Sequence, residues 1–460
     1  MNEQELFSLL KTAADCLNSN DRDGFMAAMR RADQFGECSE ALMGERLILA
    51  TLGGLTKREE LLTTLERAEK MTGGSSRLLA PHTRFVENHY DAFRLWGKIP
   101  GHADMMRELG VDFDRLSGVI QRLTGIGAGI KESYLAQLAF YRGDFDEALR
   151  WANAEIPAGK DGQTDLLRAY RLEILAGIAK HTRNLPLWRR SYGELKKIAA
   201  GEQPAGRSCK EQTEVICAML EMSLGCLHDA PAWVKTGDFG VVPAPHGYEI
   251  IDDRLLSGTL PSAMIAHIEY LTFSGEYVRA LQVAALVLQV LGIRNVITDA
   301  YVSLLRANCY VHLNRPEYAR RAVEEAMDYI VPDGLWLIAA EFVPAFGELV
   351  CAVAGERAPD APEKILHIGR DLWDKITPLR SEMLRGASEG LTKREQEVMN
   401  LVMKGHSNAE IAEQLKISVR TVRFHLENVY SKLNISRRSK FVSEIEQSGT
   451  YKLANWVKKP

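Results

Sequence analysis

A chain of 460 residues is too long for one hydrophobic core, so at least two folding units are expected. Its seven cysteines (Cys16, Cys38, Cys209, Cys217, Cys226, Cys309 and Cys351) are odd in number, scattered and without a Cys-x-x-Cys pair, which excludes a disulfide framework and fits reduced thiols in the cytoplasm. The formal charge of -4 hides an asymmetry: residues 391–460 hold 13 Lys/Arg against 7 Asp/Glu and residues 1–390 hold 44 against 54, so a polyanion suits the tail and not the rest.

The opening MNEQELFSLLKTAADCL is acidic where an export signal is basic, and reads as a first helix. Up to residue 385 there is almost no alternating strand pattern. Amphipathic helical runs succeed one another, broken near Asn20, Thr56, residues 97–101, Gly143, Asn184, Asp229, Gly275, Asn314 and residues 355–360. Breaks at intervals of roughly forty residues, two helices per interval, predict an all-α helical-repeat superhelix. The clearest units are AFYRGDFDEALRWA (139–152) and LTFSGEYVRALQVA (271–284). Each has a turn glycine, an aromatic two residues later and an alanine three beyond that. Elsewhere Asn184 and Asp229 stand in the glycine slot, each followed four residues later by Trp188 or Trp233.

Several stretches invite a chemical reading. GIGAGIKES (125–133) lacks the Gly-Lys pair of a phosphate loop and reads as a turn before a helix. The apolar run 336–355 is interrupted by Glu341, Pro344 and Glu348, so it reads as a buried helix and not a membrane span. Residues 236–262, rich in Gly and Pro, read either as an elaborated loop between repeats or as a segment leaning over a concave groove. Tyr90, Trp96, Tyr134, Tyr141, Trp151, Trp188, Tyr192 and Trp233 are candidates to line such a groove, although helix stacking claims most of them. No metal-spaced cluster, cofactor motif or catalytic constellation is legible, so no enzyme is expected.

LRGASEG marks a hinge, assigned to residues 386–390, before a compact unit at 391–449 and a tail at 450–460. Thr392-x-x-Glu395 and Ser407-x-x-Glu410 are capping boxes ahead of apolar-periodic runs, and Gly405 stops the first helix. The second helix runs to Leu415. Only Lys416 and Ile417 precede a further N-cap at Ser418, and helices joined that tightly form a helix-turn-helix. On the next helix Val419, Val422, Leu426, Val429 and Leu433 form the apolar stripe. Arg420, Arg423, Phe424, Glu427, Asn428 and Ser431 form the opposite face, with Phe424 near its centre. Arg423 suits guanine, Phe424 a thymine methyl and Glu427 the cytosine amino group. A fourth helix is expected after Ser436, flanked by Arg437, Arg438 and Lys440, with Phe441, Val442 and Ile445 inward.

LTKREQEV, GHSNAEIA, LKISVRTVRFHLENVYSKL and NISRRSK together resemble the LuxR-type helix-turn-helix family over just under sixty residues. The resemblance implies a four-helix domain that binds double-stranded DNA. It carries base-edge contacts to Arg423 and Phe424, and phosphate contacts to helix-start residues such as Ser407, Asn408, Ser418 and Thr421. Arg420, Lys432, Arg437 and Arg438 complete the expected basic surface.

The two clearest N-terminal units resemble tetratricopeptide repeats. The pairing is similar to the MalT-like branch of LuxR-type regulators, read here as lacking that branch's ATPase module. It implies a bacterial transcription regulator whose superhelix senses an effector, either a small molecule, a peptide or a protein, and controls a homodimer on DNA. The alternative is a repeat scaffold that recruits a protein partner to DNA.

Overall fold

The computed structural model describes residues 3–19, 22–36, 38–52, 55–56, 60–78, 113–124, 129–155, 166–203, 207–226, 230–238, 259–290, 296–387, 393–403 and 406–432. Every regular element among these residues is helical. Helices α1 (Glu3–Ser19), α2 (Arg22–Ala32), α3 (Glu40–Leu52), α4 (Leu61–Thr72) and α5 (Phe113–Thr124) enclose a core that includes Leu6, Leu10, Phe25, Met29, Leu49, Leu65 and Ile120. Each contributes one apolar stripe, which is why α1 packs on α2 and α3 on α4.

The next helices are α6 (Ile130–Arg142), α7 (Phe145–Ala152), α8 (Leu166–Thr182), α9 (Leu185–Ala200), α10 (Arg207–Ser223) and α11 (Ala232–Thr236). After them come α12 (Thr259–Phe273), α13 (Tyr277–Ala285), α14 (Val296–His312) and α15 (Pro316–Asp333). One turn chemistry recurs among them. Gly143, Arg183, Gly225, Gly275 and Asn314 have φ of 84°, 56°, 68°, 76° and 54°. In each case the next residue's N–H donates to the carbonyl five residues back, at 2.8–3.0 Å, from Asp144 to Ala139 through Arg315 to Tyr310. Five residues past the turn residue comes a buried side chain, which is Ala148, Ala230, Ala280 or Ala319 in four of the units and Trp188 in the fifth. The small residue lets paired helices approach closely; Trp188 instead stacks on Tyr192 at 4.9 Å.

Two expectations are corrected by the structure. The glycine slot assigned to Asn184 is occupied by Arg183, and Asn184 takes the next position as the N-cap of α9, its side chain accepting from Leu187 N–H at 3.0 Å. Asp144 does the same for α7 at 3.1 Å, so in these two units the turn residue is followed by a short polar cap. The larger correction concerns openness. In an open superhelix each unit touches only its neighbours. Here α16 (Trp336–Ala340), α17 (Val343–Arg357), α18 (Ala361–Gly369) and α19 (Leu372–Ala387) return to the earlier part of the array, with α16 against α6 and α19 against α8 and α9.

The return is stitched by bonds between residues 161 to 193 apart. Arg142 Nε donates to Asp333 O at 3.0 Å, the Arg189 guanidinium grips the Glu382 carboxylate at 2.8 and 2.9 Å, and Lys180 pairs with Glu341. One continuous core therefore runs from Tyr134 to Leu379.

The apolar run 336–355 breaks at Glu341 into α16 and α17, and no helix among the described residues is long and apolar enough to cross a membrane. Tyr134, Tyr141, Trp188, Tyr192 and Trp233 are buried, as helix stacking requires, whereas Trp151 is half-buried. Tyr90, Trp96, Asn20, Asp229 and residues 97–101, 125–128 and 239–258 lie outside the described residues. Helix α19 takes in Gly386 and Ala387, the first two residues of the expected hinge.

Gly143→Ala should destabilise the array by at least about 1–2 kcal/mol from the left-handed backbone alone, and more because the added methyl would collide with the Ile368 side chain. Gly193→Ala, mid-helix in α9 with nothing within 4 Å of the new methyl, should be neutral or stabilise by up to about 1 kcal/mol. Urea midpoints of the two variants measure the contrast.

Candidate nucleic-acid interface and a buried polar chamber

The tail folds locally as its spacing predicts. Helices α20 (Lys393–Met403), α21 (Asn408–Leu415) and α22 (Val419–Lys432) pack around Val398, Met399, Val402, Ile411, Ala412, Val422, Leu426 and Val429. At the start of α21, Ser407 Oγ accepts from Glu410 N–H at 3.3 Å while the Glu410 carboxylate accepts from Ser407 N–H at 2.6 Å. The Ser407 backbone N–H, and after it the Ser407 side chain, hold the Glu410 carboxyl below its ordinary range. At the start of α22, Ser418 Oγ accepts from Thr421 N–H at 3.0 Å. Between them the chain turns through Lys416, whose φ is +52°. Ile417 N–H closes the turn on Ala412 O at 3.0 Å, and Arg394 on α20 donates to Leu415 O at 2.7 Å. The two-residue spacing demands a left-handed turn of this kind, but lysine carries no signal for it.

On α22 the two faces separate. Val422, Leu426 and Val429 are buried, and Phe424 is 59% exposed beside exposed Arg420 and Arg423. Val419, expected in the apolar stripe, is 39% exposed. It is the first residue of the helix, so its side chain lies beyond the contact that its register would give it one turn later. Ser407 and Ser418 are exposed N-caps, while Asn408 and Thr421 are half-buried in the first turns of α21 and α22. Asn408 Oδ1 is buried without a partner. Glu427 and Lys432 lie on α22, whereas Arg437, Arg438 and the expected fourth helix fall outside the described residues.

A second arrangement, with no counterpart among the sequence motifs, lies where the returning helices meet the array. Glu341 sits at the C-terminal end of α16, its side chain only 14% exposed. Its carboxylate pairs with Lys180, accepts from the Tyr301 hydroxyl at 2.6 Å and stands 3.0 Å from His181 Nε2. Burial alone would raise its pKa, but the Lys180 charge and the His181 hydrogen bond hold it well below the carboxylate range. Burial lowers His181 to about 4, so the ring is neutral at pH 7 and Nε2 carries the proton toward Glu341.

Beside this group is a cavity of about 100 Å³, whose lining includes the polar Lys180, Glu269, Asn308 and Glu341 and the apolar Phe273, Leu305, Phe342, Leu372 and Ile376. Burial, with repulsion from Glu341, pushes the Glu269 carboxyl up to about 8 against the pull of Lys180. A scattered Glu, Lys and His with no common spacing give no motif to find; only the return of α16 and α17 brings them together.

A capped helix pair, α21 and α22, joined by two residues, with a basic and aromatic outer face on its second helix and α20 packed behind, defines a helix-turn-helix DNA-binding unit. Residues 389–444 match the family described as bacterial regulatory proteins, luxR family, and the C-terminal region is a LuxR-family helix-turn-helix domain. Similar proteins include the HTH-type transcriptional regulator MalT of Serratia proteamaculans, 33% identical over 86 residues that make up 18% of this chain and 9% of that protein. MalT of Vibrio cholerae is 34% identical over 84 residues, again 18% and 9%. The transcriptional regulatory protein LiaR of Bacillus subtilis is 47% identical over 51 residues, 11% of this chain and 24% of that protein. The chain thus spans 9% of the length of the MalT relatives, and these likenesses concern the C-terminal region only. No solved structure matches the chain.

Lys416→Gly should stabilise the head by up to about 1 kcal/mol, since it removes a left-handed penalty of about 1–2 kcal/mol and returns part of it as chain entropy; slower amide exchange in α21 is the readout. For Glu269 the ordinary value of 4.5 and the folded value of about 8 bracket a window in which the folded chain keeps a proton that the unfolded chain has lost. Stability therefore falls as pH rises through that window. Glu269→Gln should flatten this fall, as thermal melts between pH 5 and pH 8 would show.

Proposed function

We propose that the chain is a sequence-specific DNA-binding transcriptional regulator whose helical array senses an effector and controls pairing of the DNA-binding head. The observation that carries the reading is Phe424, a large apolar ring turned to solvent beside Arg420 and Arg423 on the helix after the turn. An exposed aromatic on so small a head gains nothing for folding. Against a duplex it meets a thymine methyl while Arg423 takes a guanine edge. Glu427, on the same helix, selects cytosine through its amino group and is repelled by phosphate, so the face discriminates sequence and does not bind polyanions indiscriminately.

The exposed caps Ser407 and Ser418, with Thr421, supply hydroxyls and helix-start amides to phosphates, and Arg420 and Lys432 supply charge. One head makes few base contacts. Two heads on half-sites about one helical turn apart gain by avidity. The array favours one of two states when an effector binds, and that preference sets how readily the heads pair. A scaffold that grips a peptide along an open groove is less favoured, because α16 and α19 already cover parts of α6, α8 and α9.

Arg423→Ala should lose about 1–3 kcal/mol at one base position and relax preference there. Lys432→Ala should weaken all sequences alike and reduce the salt slope by about 1. Selection of bound fragments from random DNA, repeated for each variant, separates the two. Uniform loss for both variants would overturn the assigned base contact. Footprints from the full chain that protect a single half-site at every protein concentration would overturn pairing.

A further inference from the structure

We propose that the chamber between α8, α12, α14, α17 and α19 is a binding site for a small organic cation, a primary ammonium on a short aliphatic body, received by Glu269 and seated against Phe273, Leu305 and Phe342. The proposal deepens the effector reading above, on which it rests, by naming the site and the ligand's chemistry. It starts from an imbalance. In the chamber wall Glu341 is fully engaged by Lys180, His181 and Tyr301. Glu269, which also lines the chamber, makes no hydrogen bond or ion pair among the described residues, and Asn308 Oδ1 is buried without a partner.

A half-buried carboxyl with no partner offers its oxygens to any donor that enters the chamber. A primary ammonium has three N–H donors and a positive charge. An anion would face Glu341 and a second carboxyl, and a neutral apolar molecule would leave Glu269 as it is. The apolar part of the lining, Leu305, Phe342, Leu372 and Ile376, suits a hydrocarbon body. A cavity of about 100 Å³ limits that body to a few carbons.

The site also has a route outward. Leu372 and Ile376 belong to α19, which ends at Ala387, and residues 388–392 alone separate that helix from α20 of the head. A ligand that packs on α19 biases the helix that leads to the DNA reader, which is the differential contact that effector control requires.

The test is calorimetric titration of the full chain with n-butylamine, 1-butanol and butyrate, which share a body and differ in the head group. Butylamine should bind in the millimolar range, and Glu269→Gln, isosteric with the uncharged acid, should weaken it at least about tenfold with 1-butanol unchanged. Ala345→Leu, which fills the chamber, should abolish butylamine binding while Glu269 stays in place. Absence of butylamine binding by the wild-type chain, tighter binding of butyrate, or equal butylamine affinity in Glu269→Gln would each overturn the proposal. No DNA is present in these titrations. Failure of the amine site and failure of the DNA-binding reading are therefore seen separately, the first by heat and the second by footprint.

Discussion

The buried Glu341 carboxylate is the contact on which the larger unit closes. A charge taken out of water costs several kcal/mol unless partners surround it, and leaving it alone inside an apolar core is worse still. Lys180 and His181 come from α8, and Tyr301 comes from α14, so the charge is satisfied only when the returning segment lies against both. Its placement at the end of α16, where the helix breaks, aims the carboxylate inward and turns an apolar stretch into two short helices. The stacked Phe145 and His181 rings, 5.5 Å apart, and the Arg189–Glu382 pair extend the same seam.

That closure changes what the repeats are for. Five hairpins share one left-handed turn, and in an open solenoid they would present a long groove. Here α6, α8 and α9 are packed against α16 and α19, and a small chamber with polar and apolar lining lies beside Glu341. A chamber of this size suits a small molecule better than a chain segment. One helix that lines it, α19, is also the last described helix before the head.

The head is held together differently. A handful of aliphatic side chains and the caps suffice for a small domain whose helices are short. Ser407, Glu410 and Ser418 set where each helix begins, and with the starts set, the register of α22 puts Val422 and Leu426 in and Phe424 out.

These local devices are legible in the chain because each acts over three or four residues: a serine ahead of a glutamate, a glycine at a turn, an apolar residue every third or fourth place. The same locality explains the small misses. Arg183 and Lys416 take backbone conformations that their side chains do not advertise, because the hydrogen bonds of the neighbouring helices impose them. Residue order alone was enough to specify the helical elements of the described residues, the helix-turn-helix near the chain's end and the outward face of α22. Three-dimensional packing was needed to turn the array back on itself and to bring Glu341, Lys180, His181 and Glu269 into one enclosed space. Burial and charge pairing act through space between residues as far as 193 positions apart, and no periodicity in the chain encodes such a distance.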